Sequence, residues 1–538
     1  MLLVSMRILS LAACMAASAA AAAPQIVLVN ANIFTADPAR PRAQALAIED
    51  GRIAAVGDNA EIRQRVGPST RVIDVGGRLV TPGLVEAHVH IGWNLPSTPV
   101  VPPGATSDQV LVSVAAAVRA PGATGTAWIS GWVGPPVMRD PRNWRVALDD
   151  IAPGTPVLLR AFWGHGTIVN SAALKALGVA EDVADPIGGW WGRDAQGRLD
   201  GHAYEAAEDL ELRAAPPDRT RLAAEFKAAG ERYAGWGVTS IHLMNSGSPL
   251  GVTLEALAQA QTAQDWTVYA WAGAVPTIDA AWQAITAATP PSGVRVEGPK
   301  WVLDGTPLEL NALRREPYPN RAGWRGRSNH SDEQLRQILS KALHSPRQLA
   351  LHVVGDAEAD RVVAAMLALA PASAWHAKRV RIEHGDGIRA DTLARAASMG
   401  LIVVQNPTHF PPPSPALAGP RPLLASLARA GVVLALGSDG GPDEQNPFLN
   451  IMLASSYASA PEEALSREQA LLAYTLGGAV AGRNEASTGR LMPGRVANLA
   501  VLSQDILTVA APALPATRSL LTLIGGVVVH EAAELSAR

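Results

Sequence analysis

Eight short apolar runs alternate with helical stretches through the middle of this chain, and that alternation restricts the fold more than any other feature. The runs occupy 84–90, 237–243, 267–273, 298–303, 348–353, 379–384, 401–405 and 432–437. Apolar strands that alternate with amphipathic helices are typical of parallel sheets built from βαβ units. Eight such units are the number that closes into a barrel, so the sequence predicts an α/β fold of the (β/α)8 TIM-barrel class.

The segment after the fifth run shows the helical pattern most clearly. A helix over 357–369 would bring together one apolar face, formed by Val362, Val363, Met366, Leu367 and Ala370. A single apolar stripe of this kind is expected of a helix that packs on the outside of a sheet. The stretch therefore predicts a barrel helix between the fifth and sixth strands.

The gap between the first and second runs is far longer than one helix requires. We therefore predict an inserted α/β subdomain at about 95–221, which follows the first strand and so lies over the barrel mouth as a lid. This segment is rich in tryptophan, namely Trp128, Trp132, Trp163, Trp190 and Trp191. These rings have two interpretations, the wall of an apolar substrate pocket or the core of the insertion itself.

Strand-like runs also occur near both ends of the chain, at 26–36, 45–56, 70–80, 497–502 and 520–529. The pair Asp50-Gly51 separates two alternating stretches, which is a hairpin signal. We predict one small β-sandwich formed by both chain ends, 24–82 and 487–538, around a hydrolase barrel at 83–486.

The first residues have the pattern of a signal peptide, assigned here to 1–23. Arg7 precedes an apolar, alanine-rich run with a small-residue end, and that run is too short for a stable membrane span. We expect a secreted or periplasmic protein. The only cysteine, Cys14, lies in this run and leaves open a lipoprotein anchor. After ordinary cleavage no thiolate remains, so metal ligands must come from His, Asp, Glu and Lys.

Charge narrows the choice of partner. Only 17% of residues are charged and the net charge is −3, which gives no basic surface for nucleic acid. We expect a small-molecule substrate and no stable membrane insertion. A homodimer is left as an open alternative.

Polar residues recur where the predicted strands end. His88 and His90 are two residues apart, so both can face the barrel interior and bind one ion. Strand ends converge on one face of a barrel, which would gather a mononuclear or binuclear centre from His88, His90, Lys300, His352, His384 and Asp439. Taken singly, each histidine could be a core residue and Asp439 a helix cap. Their recurrence at the same end favours a metal site.

Several stretches together resemble the amidohydrolase superfamily, in particular the YtcJ-like metal-dependent hydrolases of amidohydrolase family 3. They are VTPGLVEAHVH at 80–90, HGTIVNSAAL at 165–174, LHVVGD at 351–356, RIEH at 381–384, LGSD at 436–439, AYT within 470–475, and GRLMPGRVANLA at 489–500. Their order and spacing cover nearly the whole chain after the signal segment. The resemblance implies a metal-dependent hydrolase on a (β/α)8 barrel.

The resemblance also implies roles for the strand-end residues. His88 and His90 would bind the more buried ion, and His352 and His384 the second, with Asp439 contacting metal and nucleophile. Lys300 would be carboxylated and bridge two ions, because a free ammonium beside dications is repelled. The alternative for Lys300 is a salt bridge to a strand-end carboxylate.

The chain departs from the family pattern at a few positions. It has Asp304-Gly305-Thr306 and then Asn311-Ala312 after the fourth run, His242-Leu243 in the second, and Asn498 near the C-terminus. We expect these differences at the pocket rim and in the sandwich, so they bear on the substrate. Substrate contacts are predicted for His165, Trp163 and Asp304, and a structural role is an equal alternative for His165.

The predicted activity is hydrolysis of an amide-type carbon–nitrogen bond in a small, fairly apolar substrate. One or two divalent ions, with zinc expected, would activate water, and Asp439 would carry the proton to the leaving nitrogen. Lactone, ester, carbamate or phosphotriester hydrolysis, and deamination, are alternatives on the same centre. A periplasmic binding protein that keeps the fold but does not catalyse a reaction is a further alternative.

Overall fold

The computed structural model describes residues 23–92, 95–120, 127–207, 209–273, 275–319, 321–410 and 421–536. The predicted signal segment, apart from Ala23, lies outside these residues, and so does Cys14. Across the described part of the chain, no helix combines the length and the apolar character needed to cross a membrane.

Eight parallel strands form the central sheet, as the alternation of apolar runs predicts. In chain order they are Leu84–Val89, Val238–Asn245, Asp265–Trp271, Val294–Val302, Ala350–Val353, Arg381–His384, Ile402–Gln405 and Val433–Leu436. The spatial order follows the chain order, and each strand pairs in parallel with the next. The predicted (β/α)8 barrel is confirmed.

Helices cover the outside of this barrel. They are Arg219–Gly235, Leu250–Ala260, Ile278–Ala287, Asp332–His344, Asp356–Leu369, Ala372–His376, Ala390–Ser398, Leu424–Arg429, Pro447–Ser456, Arg467–Leu472 and Gly478–Ala481, with a π-helical turn at Ala473–Gly477 and 3₁₀ turns at Pro407–His409 and Pro461–Glu463. Their apolar faces and the outer faces of the strands share one large core. In the helix Asp356–Leu369, Val362, Val363 and Met366 are buried as predicted, but Leu367 is 36% exposed.

Two barrel strands have different bounds from the predicted runs. The second strand continues to Asn245, so His242 lies inside the barrel instead of at its rim. The fourth strand begins at Val294, before the predicted start at 298. Its pairing with the third strand shifts register between Val268 and Tyr269, so Glu297 is an extra residue in the fourth strand. This bulge interrupts the apolar pattern that the prediction relied on.

The segment between the first two barrel strands forms its own α/β layer. Its six-stranded mixed sheet contains Pro99–Val101, Ile129–Val133, Val157–Ala161, Thr167–Val169, Gly189–Arg193 and Leu199–Glu205. Its helices are Ser107–Val118, Pro135–Met138, Trp144–Ile151, Ser171–Ala176 and Leu210–Ala214. Apolar clusters on both faces of this sheet give the insertion its own core.

The chain ends contribute two further sheets. One contains Ile26–Val29, Ala45–Glu49, Arg52–Gly57 and Arg71–Asp74; the other contains Asn32–Phe34, Arg42–Ala43, Leu79–Pro82, Leu499–Leu502, Ser519–Ile524 and Val527–Glu531. Short helices at Asn59–Arg63 and Ala533–Ser536 and a 3₁₀ segment at Ala511–Ala516 complete this region. Residues from both sheets share one buried cluster, and the turn at Asp50-Gly51 joins an antiparallel pair. Asn498 accepts a hydrogen bond from the Gly525 N–H at 2.8 Å, which fixes a turn of the second sheet.

Candidate metal centre

His88 lies near the end of the first strand and is fully buried. Its Nδ1 donates to Glu383 Oε2 at 2.7 Å, which fixes the ring so that Nε2 faces the barrel mouth. Within the described residues Nε2 has no hydrogen-bond partner and lies 3.5 Å from Asp439 Oδ1. Burial lowers the pKa of His88 well below its usual value. A neutral imidazole whose second nitrogen is held by a carboxylate has the form of a metal ligand.

Asp439 follows the eighth strand and lies between the histidines. Its Oδ1 is 3.5 Å from His90 Nε2, and its Oδ2 is 3.9 Å from His384 Nε2. Ligand atoms of His88, His384 and Asp439 all lie within 4.8 Å of one another. Burial raises the pKa of the Asp439 carboxyl above its usual value, although nearby cationic groups oppose that shift.

His352 and His384 end the fifth and sixth strands, and their ring centroids are 4.4 Å apart. His384 has φ +68°. In a regular strand the side chains of His384 and its neighbour Glu383 would point to opposite faces. The left-handed backbone at His384 breaks this alternation, so both residues can contribute to the same site. Burial lowers the pKa of both imidazoles, so they are neutral.

Lys300, on the fourth strand, is 3% exposed. Burial lowers the pKa of its ammonium, while the charges of Glu383 and Asp439 act in the opposite direction. All six residues predicted as ligands therefore lie at the barrel mouth or directly beneath it. His90 is the most exposed of the four histidines, and its Nδ1 lies 2.8 Å from Ser246 Oγ.

A buried arginine supports this centre from below. Arg381 Nε donates to Glu383 Oε1 at 2.8 Å, and its Nη2 donates to the Ala87 carbonyl at 2.7 Å. Its Nη1 contacts His242 Nδ1 at 3.0 Å, and its guanidinium lies over the Tyr269 ring. The second-strand histidine, predicted at the rim, is thus part of the barrel interior.

Glu86 joins the first strand to the eighth, where the ladder between these strands is incomplete. Its Oε1 accepts from the N–H groups of His88 at 3.0 Å and Ser438 at 2.8 Å. A Cβ at Gly437 would lie 2.4 Å from the His88 nitrogen, so only glycine permits this close approach. The Asp439 N–H then donates to the His88 carbonyl at 2.9 Å, which sets the position of Asp439.

The insertion reaches the centre through His165. Its ring lies 4.7 Å from that of His352, and its Nδ1 donates to Glu205 Oε1 at 2.9 Å. Glu309, which follows the fourth strand, is buried and accepts from Trp163 Nε1 at 2.8 Å. Burial raises the pKa of Glu309 to about 7. A polar row therefore leads from the histidines into the insertion.

The predicted substrate contacts differ in their surroundings. His165 and Trp163 belong to this polar row. Asp304 does not, because its carboxylate accepts from the N–H groups of Val354, Gly355 and Leu313 at 2.8 to 3.0 Å. This arrangement organises the loops after the fourth and fifth strands. All five tryptophans pack in or against the apolar clusters of the insertion, and Trp190 also lines a cavity.

Several residues near the centre are not among those predicted from the sequence. His409 lies 4.0 Å from Asp439 Oδ2, and its Nε2 donates to the Asp439 carbonyl at 3.0 Å. It follows the seventh strand, so the rule that located the other histidines would have found it. Glu383 and Arg381 alternate along one strand, which is a weaker signal. No pattern in the sequence marks Glu205.

The donor set fits a divalent ion. It consists of neutral imidazoles, a carboxylate and a lysine, and the buried Nε2 atoms of His88 and His352 lack hydrogen-bond partners in the described part of the chain. A buried polar atom without a partner is costly, and a metal ion would satisfy both. Nitrogen and oxygen donors at this spacing are suited to zinc and similar ions.

Comparisons with known proteins found a family and several proteins that are similar to this chain. Residues 71–530 match the family described as "Amidohydrolase family". YtcJ of Bacillus subtilis (strain 168), which carries the name of an amidohydrolase, is 26% identical over 523 residues, covering 93% of this chain and 98% of the relative. The N-substituted formamide deformylase of Arthrobacter pascens is 27% identical over 560 residues, covering 94% and 98%. An uncharacterized metal-dependent hydrolase from Pyrococcus horikoshii OT3 has a similar structure, with a TM-score of 0.67, 20% identity, and coverage of 90% and 99%.

Proposed function

This chain belongs to the amidohydrolase family and is a metal-dependent hydrolase of carbon–nitrogen bonds, and we propose that it cleaves an amide-type bond in a small organic substrate. One observation carries the proposal. Donor atoms of His88, His384 and Asp439 lie within 4.8 Å of one another at the barrel mouth. Core histidines have no reason to gather there around a carboxylate.

The ligand assignment extends this cluster. His88 and His90 would hold one ion, and His352 and His384 a second. Lys300 would bridge them as a carbamate, formed when its neutral amine adds to CO₂ and loses a proton. When bound, zinc or a similar ion supplies Lewis acidity, which makes a coordinated water more acidic and polarises a carbonyl.

The remaining chemistry is assigned to the chain itself. Asp439 Oδ1, between His88 and His90, is placed to accept a proton from the attacking water and to return it to the leaving nitrogen. Glu383 fixes the His88 ring, and Arg381 holds Glu383 in place. The insertion reaches the centre through His165, whose ring lies 4.7 Å from that of His352.

Other reactions share the same donor set, including hydrolysis of esters, lactones or carbamates and deamination. The relative from Arthrobacter pascens is named for removing a formyl group from a nitrogen, which supports the amide-type reaction here.

A matched substrate panel tests the proposal. Purified protein is assayed with a chromogenic anilide, the corresponding ester and a lactone, before and after removal of metal by a chelator. We expect the anilide to have the highest kcat/KM and its hydrolysis to require metal. Faster turnover of the ester or lactone, or full activity without metal, would contradict it. The variant His376→Asn, at an exposed histidine away from the centre, is the control.

We also propose that the protein is exported after cleavage near Pro24. The basis is the sequence of residues 1–23. Expression of the full chain, followed by mass spectrometry of the periplasmic fraction, is expected to give a protein that begins near Pro24. Recovery of the uncleaved chain in the cytoplasm would contradict export.

A further inference from the structure

A cavity of about 630 Å³ lies between the insertion and the loop that follows the fourth barrel strand. The insertion contributes the turns around Met138–Arg142 and the strands that carry Trp190 and Tyr204. The barrel contributes the loop around Leu310 and Tyr318. The volume is within the range of sites for small organic ligands. We call it the arginine cavity, after the five arginines in its wall: Arg139, Arg142, Arg193, Arg314 and Arg321.

The fixed charge in this wall is positive. Three acids also line the cavity, Asp140, Asp200 and Glu309. Asp140 pairs with Arg142 at 2.7 Å, and Asp200 contacts His202 Nδ1 at 3.1 Å. Because burial raises the pKa of Glu309 to about 7, its carboxyl is neutral in part at neutral pH. Among the groups that line the cavity, five guanidiniums therefore face fewer than three full negative charges, and Arg142 has a second acidic partner outside the wall, Asp108 at 3.2 Å.

Two of these arginines are held by neutral groups. Arg139 donates from Nε and Nη2 to the carbonyls of Leu308 and Pro307, at 2.5 and 2.9 Å. Arg193 donates to three backbone carbonyls within the insertion. A carbonyl positions a guanidinium without cancelling its charge, so both cations remain available to an anion.

Aromatic rings form other parts of the wall. Trp190 stacks on Tyr204 with ring centroids 4.1 Å apart and an interplanar angle of 21°. Tyr318 is buried, and the Arg314 guanidinium lies 4.7 Å from its ring centroid. The Arg327 guanidinium lies 4.8 Å from the Trp190 ring centroid, so both faces of Trp190 are covered and its edge contributes to the wall. Aromatic surface beside guanidiniums suits a ligand with a planar ring and a negative charge.

The arginine cavity is linked to the metal centre by the polar row. Glu309 is part of the cavity wall, and a Cβ placed at Gly305 would lie 2.4 Å from Glu309 Oε1 and 3.3 Å from Glu205 Oε1. Glu205 binds His165, whose ring lies 4.7 Å from that of His352. A substrate that extends from the centre along this row would place its far end in the cavity.

We infer that the arginine cavity binds an aromatic carboxylate, and that the substrates are amides whose part remote from the scissile bond carries this group. The second half of the inference rests on the proposed function, whereas the binding of the carboxylate does not. The carboxylate would accept hydrogen bonds from the guanidiniums, and its ring would lie against Tyr318 and the edge of Trp190.

Calorimetric titration tests binding without turnover. The probes are naphthalene-2-carboxylate and the uncharged 2-naphthamide, which share a ring and differ in charge. We expect the carboxylate to bind about tenfold more tightly, the effect of one charge-assisted interaction. Equal affinity for the two probes would overturn the inference, because the guanidiniums would then contribute nothing to binding.

Two substitutions locate the bound anion. Arg321→Gln changes an exposed residue and is expected to preserve folding, and Arg314→Gln changes a half-buried one. Each is expected to reduce the tenfold preference, and the double variant is expected to remove most of it. Arg336→Gln, on an exposed helical face outside the cavity, is the matched control and should leave it unchanged. An undiminished preference in both cavity variants would overturn the inference.

A turnover assay separates this inference from the proposed function. Anilides with and without a ring carboxylate are compared in the wild-type protein and in Arg321→Gln. The inference predicts a KM about tenfold lower for the carboxylate substrate in the wild type alone, with kcat unchanged. If no amide is hydrolysed but the carboxylate still binds selectively, the proposed function fails and the cavity site stands. If amides are hydrolysed without any preference for the carboxylate, the proposed function stands and the inference about the cavity fails.

Discussion

The metal end of the barrel and the arginine cavity are both lined by charged side chains, but they hold those charges differently. At the metal end most groups sit on strands and have buried partners, as Glu383 has an ion pair with Arg381 and a hydrogen bond from His88. In the cavity the arginines come from loops and short elements, and Arg139 and Arg193 bond to backbone carbonyls. Strands fix geometry, whereas loops can change without loss of the fold.

This difference predicts that substitutions in the two regions have different effects on substrates. Substitutions at the metal end should affect every substrate, because they change the reacting groups or their supports. Substitutions in the cavity should affect only ligands that carry the recognised charge. Each of the following predictions tests that contrast.

The largest effect is expected for Asp439→Asn. An amide cannot accept the proton from water, so kcat should fall about a thousandfold for charged and uncharged substrates alike, within the range for loss of a general acid–base group. Metal content should remain, because the histidines are intact. Steady-state kinetics and metal analysis measure both, with the exposed Asp391→Asn as control. A loss of activity confined to carboxylate substrates would contradict the prediction that the metal end affects every substrate.

A smaller effect is expected for Arg381→Met, in the barrel interior. It leaves the buried Glu383 carboxylate without its cation, which costs about 3–5 kcal/mol of unfolding free energy. Urea unfolding measures this cost. Arg336→Met, which breaks an ion pair with Glu333 whose two side chains are 56% and 57% exposed, should cost about 1 kcal/mol or less.

Arg321→Gln in the cavity should leave the unfolding free energy almost unchanged, since its side chain is exposed. A cost as large as that of Arg381→Met would mean that the cavity arginines are structural supports.

The smallest effect concerns pH. The pKa of Glu309 is raised to about 7 by burial, with Glu205 acting in the same direction and His165 and Thr306 against it. As pH rises through 7 the carboxyl becomes negative, so naphthalene-2-carboxylate should bind about two- to threefold more weakly at pH 8 than at pH 6. Calorimetry at the two pH values measures the change. Glu309→Gln should remove it, and a variant that keeps the full pH dependence would exclude Glu309 as its source.

The barrel and the set of candidate ligands could be predicted because both follow from local patterns. Apolar runs with a helical stretch after each one determine the barrel, and His88, His352 and His384 fall at the same end of three runs. His242 shows the limit of that rule. The second strand continues past Leu243, and no turn residue marks the earlier end that was predicted.

The arginine cavity could not be predicted in the same way. Arg139, Arg193 and Arg321 are far apart in sequence, lie at the ends of short elements or in loops, and meet only because the insertion folds over the loop after the fourth strand. Glu205 and Glu309 likewise gain their surroundings from tertiary contacts. The sequence also could not decide whether the tryptophans pack in the insertion core or line a pocket, because a ring in either place has the same local pattern.

The central claim is that imidazoles from separate strands and Asp439 hold a divalent ion required for catalysis. Metal analysis of purified wild type, His88→Asn, His384→Asn and the exposed control His376→Asn tests it most directly. We predict at least about one ion per chain in the wild type and the control, and loss of both metal and turnover in the two ligand variants. Full metal content with full turnover in His88→Asn and His384→Asn would contradict the account.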